Sequence, residues 1–155
     1  MIALVQRVTE ASVTVDDPPY HAAIDGGLCV LLGVENGDTP AEAEWVARKL
    51  ANLRIFRDDD DKMNRSVSDV DGAILLVSQF TLAGNCERGN RPSFANAAAP
   101  DVGNALYELV ANQLRTTHSI PVETGCFGAD MRVALVNDGP VTLIIRRDPP
   151  VSSGA

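Results

Sequence analysis

Four consecutive side chains are the ones best suited to chemistry: Ser78, Gln79, Phe80 and Thr81, two hydroxyls with an amide and an aromatic ring between them. Hydroxyls of this kind can attack a carbonyl or hydrogen-bond a ligand, and an amide can orient one. Three arginines, Arg7, Arg88 and Arg91, are the candidate anion binders. A Ser or Thr nucleophile normally requires a neighbouring general base, and none is visible beside Ser78 or Thr81. His21 falls in an expected loop and His118 near the end of an expected helix, where the helix dipole alone favours a histidine. The chain has no G-x-S-x-G elbow, Walker loop, dinucleotide fingerprint or H-E-x-x-H motif. The run Asp58 to Asp61 lacks the alternate-position ligands and central Gly of a calcium loop, and Lys62 breaks it further. A solvated loop is the plainer account of it. Residue chemistry alone therefore supports a ligand pocket, with no metal and no cofactor.

That pocket is positioned by the stretch before it. Ala73-Ile74-Leu75-Leu76-Val77 is an unbroken apolar run opened by the turn signal Asp71-Gly72 and closed by Ser78. It reads as a strand buried on both faces, whose rigid end presents Ser78, Gln79 and Thr81. Gly84 to Phe94 follows as a long polar loop carrying Arg88 and Arg91.

The flanking elements are also legible. Alternation in Ile2–Val8 and Ser12–Val15 predicts two strands joined by a turn at Thr9 to Ala11. Asp16 to Pro19 is a turn, Ala22–Ile24 a short strand, and Leu28–Val34 a buried one. Thr39-Pro40-Ala41-Glu42 is a helix start with Thr as N-cap, Pro in the first turn and Glu completing a capping box. Its apolar stripe is Ala43, Val46, Leu50 and Leu53, leaving Arg48 and Lys49 off the stripe, and a strand begins near Ile55-Phe56. Pro100-Asp101 opens a second helix with Val102, Leu106, Leu109, Val110 and Leu114 as its stripe. Met131–Asn137 and Val141–Ile145 read as strands joined by a hairpin-like turn at Asp138-Gly139-Pro140. The expected class is α+β: one domain over 1–147 with two main helices and a largely antiparallel, barrel-like sheet, followed by a disordered tail at 148–155.

Bulk properties narrow the function. At 155 residues with 45% hydrophobic and 22% charged content, the chain can bury a real core. No apolar stretch reaches the roughly 18 residues that span a bilayer, and the N-terminus has no secretory pattern. Three widely spaced cysteines fit reduced thiols in the cytoplasm. A net charge of −8 argues against holding nucleic acid by bulk electrostatics and leaves a local patch open.

Several ordered motifs together resemble the D-aminoacyl-tRNA deacylase family. They are Ser78-Gln79-Phe80-Thr81-Leu82, Glu87-Arg88-Gly89-Asn90-Arg91-Pro92-Ser93-Phe94, and Asn137-Asp138-Gly139-Pro140-Val141-Thr142. The opening Ile2 to Val8 with Ala11-Ser12-Val13, and Gly125 to Met131, are similar to that family as well, so the likeness spans residues 1–146. It implies a homodimeric hydrolase that cleaves D-amino acids from the 3′ end of tRNA, and glycine mischarged on tRNA(Ala), as quality control in translation. It implies that Gly139 and Pro140, joined by a cis peptide, form a chiral gate entering the partner subunit's pocket, with Arg7 holding their loop. Ser78, Gln79, Phe80 and Thr81 would line the pocket, Met131 would pack beside it, and Arg88 and Arg91 are candidate tRNA contacts. Arg48, Lys49 and Arg54 are further candidates, although ordinary solvation is the stronger account of Arg48 and Lys49, which lie off the helix stripe, and Arg146-Arg147 before the tail is equally ambiguous.

Two mechanisms fit these residues. Thr81 could attack the ester carbonyl, or main-chain N–H groups near Gln79 and Phe80 could stabilise the oxyanion while a ribose hydroxyl or water attacks. The missing base favours the second. Two rival functions remain: a non-catalytic nucleic-acid-associated protein of the same fold, and a general amino-ester hydrolase.

Overall fold

A computed structural model describes residues 1–87 and 89–149. Arg88 and the greater part of the expected tail lie outside the described residues. Around β1 (Ile2–Val15) the sheet is antiparallel: β2 (Tyr20–Ile24), β3 (Gly27–Gly33) and β8 (Arg132–Arg146) all pair with it in that sense. On the other side of β3 the pairing becomes parallel, through β6 (Ala73–Ser78) to β7 (Val122–Thr124). The change has a topological cause. Parallel neighbours need a crossover, and the two crossovers carry the helices α1 (Pro40–Asn52) and α2 (Pro100–Thr116). A small separate ribbon joins β4 (Phe56–Arg57) to β5 (Met63–Arg65). The Tyr20 hydroxyl donates to the Thr124 carbonyl at 2.7 Å, drawing β2 toward β7 and giving the sheet its barrel-like curl.

Two apolar clusters occupy the faces of this sheet. One joins Val5, Val30, Ile74 and Leu76 to Val46 and Leu50 of α1 and to Val110 and Leu114 of α2. The other lies inside the curl and includes Val8, Val13, Ile24, Leu75 and Val77. Burial on both faces is what the apolar run of β6 demands, and its four central residues are buried. The start of α1 is also as expected. Thr39 Oγ1 accepts from the Ala41 N–H, and Glu42 Oε2 accepts from both the Thr39 N–H at 2.9 Å and the Thr39 hydroxyl at 2.6 Å. Those donors, the hydroxyl foremost, hold the Glu42 carboxyl below its usual range against the opposing effect of burial.

Three expectations change. Ile2–Val8 and Ser12–Val15 are one strand, because β8 pairs along its whole length and carries it through Thr9–Ala11, with bulges beside Val8. Met131 to Ile145 does not reverse. Both halves of β8 run antiparallel to β1, from Thr14↔Arg132 to Ile2↔Arg146, and residues 138–141 are skipped between Asn137↔Val8 and Thr142↔Gln6. A proline lacks the N–H that a ladder needs, so this segment leaves the ladder without turning the chain. In α2 the buried face is Gly103, Leu106, Tyr107, Val110, Ala111 and Leu114, whereas Val102 is exposed. Tyr107 is buried on that face, and its hydroxyl donates to the Leu76 carbonyl at 2.8 Å.

The acidic run is held by its own neighbours. Arg57 pairs with Asp61, Arg65 with Asp59 and Lys62 with Asp60, and the N–H groups of Asp60 and Lys62 donate to Asp58.

Candidate active site

The pocket is created by the way β6 ends. Ser78 is the last residue in register with β3, opposite Leu32, and the Gln79 N–H donates to the Leu32 carbonyl at 2.8 Å. The chain then tightens into a single 3-10 turn over Phe80–Ala83. Gly33 permits this close passage: a Cβ there would lie 3.0 Å from the Gln79 carbonyl oxygen and 3.0 Å from Leu82 Cβ. Beyond the turn, Asn85 and Ser93 exchange backbone hydrogen bonds, and the Ala98 N–H donates to the Val34 carbonyl at 3.0 Å. These tie the loop back across the strand end and bring Ala97, Ala98 and Pro100 to the mouth.

The resulting cavity is about 550 Å³, within the range of small-molecule sites. Ser78, Gln79 and Phe80 form one wall and Phe127, Gly128 and Ala129 another, with Val77, Met131 and Val133 at the floor. Met131 is seated by Gly125, where a Cβ would fall 2.5 Å from its sulfur. Phe80 is 59% exposed and meets Phe94 edge-on at 5.3 Å, so it is a wall of the site and not part of the core. Tyr107 stands behind Phe127 with ring centroids 6.0 Å apart.

The polar atoms define what the cavity can do. Thr81 Oγ1 accepts a short hydrogen bond from Gln79 Nε2, which uses one of its two lone pairs. Thr81 itself does not line the cavity wall. Among the described residues Asp130 is the one titratable side chain that does, and it stands exposed. Sequence reasoning did not single it out; its only signal was its place between Ala129 and Met131. His21 is elsewhere, against Thr14 at 3.1 Å on the β1–β2 ribbon. The Gln79 N–H is already taken by Leu32, whereas the first-turn N–H groups of Phe80 and Thr81 have no backbone acceptor among the described residues. The free main-chain donors thus sit one residue further along than expected.

Gly139 and Pro140 do not line this cavity within the chain. They project, exposed and joined by a cis peptide, from the point where β8 leaves its ladder. Their loop is anchored from below. Asn137 Nδ2 donates to the Arg7 carbonyl at 3.0 Å and the Val141 carbonyl at 3.1 Å, spanning the skipped segment. The Arg7 side chain, 3% exposed, donates through Nη1 to the Ile55 carbonyl and puts Nε 2.8 Å from Asp138 Oδ2. That separation is an ion pair, although the Nε–H makes no aligned hydrogen bond to the carboxylate. Arg91 is exposed on the loop that follows the 3-10 turn. The free edge of β8 carries Val136, Leu143 and Ile144 exposed, the last at 72%.

A family model described as D-Tyr-tRNA(Tyr) deacylase matches residues 4–146. A relative from Geobacter sulfurreducens named D-aminoacyl-tRNA deacylase is 58% identical over 145 residues, covering 94% of each chain. One from Chlorobaculum parvum with the same name is 50% identical, covering 94% of this chain and 97% of that one. Among solved structures, a c-Myc DNA unwinding element binding protein superposes with a TM-score of 0.87 at 43% identity, covering 96% of this chain and all of that one. A probable eukaryotic D-amino acid tRNA deacylase superposes with a TM-score of 0.78, covering 93% of this chain and 97% of that one; at 19% identity it speaks for the fold alone.

Proposed function

The chain belongs to the D-Tyr-tRNA(Tyr) deacylase family, and from that premise we propose that it hydrolyses the ester between a D-amino acid and the 3′ end of tRNA. It is a hydrolase acting on aminoacyl-tRNA. Water adds across the ester, the acyl C–O bond breaks, and free amino acid and a tRNA hydroxyl leave. The observation that carries the reading is the 58% identity over 94% of both chains, which includes the strand end that builds the cavity.

Selection of the D form is proposed to lie in main chain. Gly139 and Pro140 of a second copy enter the cavity, and their backbone meets the Cα of the aminoacyl group. An L side chain collides with it, a D side chain points outward, and glycine passes. Two features support a second copy. The gate lies outside its own chain's cavity, and β8 offers an unpaired edge with three exposed aliphatic side chains. Arg7 and Asn137 hold the gate loop, Ser78, Gln79 and Phe80 position the ester, and Met131 shapes the floor. The N–H groups of Phe80 and Thr81 stabilise the oxyanion while a water attacks, with a ribose hydroxyl of the terminal adenosine in place to orient it or take its proton. Among the described residues no base hydrogen-bonds to the Thr81 hydroxyl, which supports this over attack by Thr81.

A nucleic-acid-binding role without catalysis is the second reading, favoured by the printed name of one close structural neighbour. Release of D-tyrosine and L-tyrosine from charged tRNA separates the possibilities. Rapid release of the D form alone is expected. Equal rates on both enantiomers point to a general amino-ester hydrolase, and binding without release of any amino acid points to the second reading.

A further inference from the structure

Ten of the thirteen cations of this acidic chain fall into two groups; of the others, Arg115 donates to the Val122 carbonyl and Arg91 stands on the loop after the 3-10 turn. Arg7, Arg57, Lys62, Arg65, Arg132 and Arg146 each meet a carboxylate. Arg48, Lys49, Arg54 and Arg147 have none within ion-pair distance among the described residues, and all four gather around one indole. Lys49 Nζ lies 5.3 Å from the centroid of Trp45 and the Arg147 guanidinium 5.4 Å from it. Trp45, Arg48, Lys49, Asn52, Leu53 and Arg54 line a shallow groove of about 410 Å³. Arg54 is steadied by donating to the Asn64 carbonyl at 2.8 Å. The nearest buried acid, Glu42, senses Arg147 but is engaged by Thr39.

Trp45 gives these cations order without cancelling their charge. A carboxylate would hold a lysine and an arginine in place but neutralise both. An aromatic face holds them by cation–π attraction and leaves their outward N–H groups free for an anion. An assembly of four such cations, in a chain of net charge −8, fits a partner with a row of negative charges.

We propose that this face grips the phosphate backbone of the tRNA substrate behind its aminoacylated end, an inference that rests on the function proposed above. Its place in the sheet sets which phosphates it reaches. Arg147 follows directly on Arg146, which pairs with Ile2; Ile2 pairs with Gly33; and the preceding Leu32 pairs with Ser78. Three strand spacings of about 4.8 Å separate it from the cavity wall, roughly 14 Å. That puts it within reach of the phosphates of the last few nucleotides before the ester.

The test combines Arg48→Gln, Lys49→Gln and Arg147→Gln, with Arg57→Gln plus Arg65→Gln, two carboxylate-paired exposed cations, as the comparison variant. Each is assayed with D-tyrosyl-tRNA and with the D-tyrosine ester of adenosine, and binding of deacylated tRNA is measured against salt. Loss of three phosphate contacts lowers the salt slope by about 2–3. It raises KM for the tRNA substrate at least about tenfold at 0.1 M salt, with kcat and the rate on the adenosine ester unchanged. The comparison variant keeps the wild-type slope. A triple variant matching an active wild type in KM and slope overturns the proposal alone, and so does an equal loss in both variants. A wild-type protein that neither binds tRNA nor deacylates it overturns the proposed function along with it.

Discussion

Replacing Thr81 by Val tests whether any side chain acts as nucleophile. Valine keeps the shape of threonine and removes only the hydroxyl, and Thr81 is exposed, so core packing is untouched. In the structure that hydroxyl serves one visible purpose, accepting from the Gln79 amide. Losing one such hydrogen bond costs about 0.5–1.5 kcal/mol. If all of that cost falls on the transition state, the rate drops by roughly 2- to 13-fold at about 1.36 kcal/mol per decade. Removing a true nucleophile would instead cost three or more orders of magnitude. Single-turnover deacylation of D-tyrosyl-tRNA, with enzyme in excess, reads the chemical step directly. A loss within about 20-fold supports attack by a water that Thr81 does not replace. A loss above about a thousandfold, with substrate binding intact, refutes it.

Three further outcomes are expected. Arg7→Met leaves the Ile55 carbonyl without its donor and frees the gate loop, so urea unfolding should show a loss of about 1–3 kcal/mol and the D-over-L rate ratio should fall; a stable variant with full chiral selectivity would remove Arg7 from the gate. Ile144→Asp places a charge on the free edge of β8, so sedimentation should find monomer and deacylation should slow sharply, whereas an active monomer would sink the cross-subunit gate. Thr39→Ala removes the N-cap and the hydroxyl held by Glu42, lowering stability by about 1 kcal/mol at neutral pH. The Glu42 carboxyl is depressed in the folded state, so the stabilisation from this pairing is complete above its ordinary value of 4.5 and is lost as pH falls through the lower folded value. Urea titrations should show the difference between wild type and variant narrowing as pH falls below 4.5, down to the part owed to the Ala41 cap, and a difference independent of pH would contradict the pairing of Thr39 with Glu42.

Local signals in the chain were sufficient for the parts whose cause is local. Thr39, Pro40 and Glu42 specify the start of α1 because a cap needs only residues within one turn of each other. The apolar run from Ala73 to Val77 specifies a strand buried on both faces, and the polar residues after it mark where a cavity opens. The family likeness at Ser78 to Thr81 and at Asn137 to Thr142 was equally legible, since motifs are ordered strings.

What depended on partners distant in the chain was decided by tertiary structure. Residues 2–15 form one strand because β8 pairs along it, and no periodicity inside that stretch contains this fact. The segment around Gly139 and Pro140 leaves its ladder without turning back because Asn137 and Arg7 bridge it, a contact across 130 residues. The buried face of α2 takes Tyr107 and leaves Val102 exposed, because the helix meets the sheet where the Tyr107 hydroxyl can reach the Leu76 carbonyl. The Gln79 N–H is taken by Leu32, moving the free donors onward to Phe80 and Thr81. Arg147 meets Trp45 only because the ends of β8 and β1 lie side by side. Sequence determines which residues want burial, caps or turns; only the folded sheet determines which of them, far apart along the chain, share one surface.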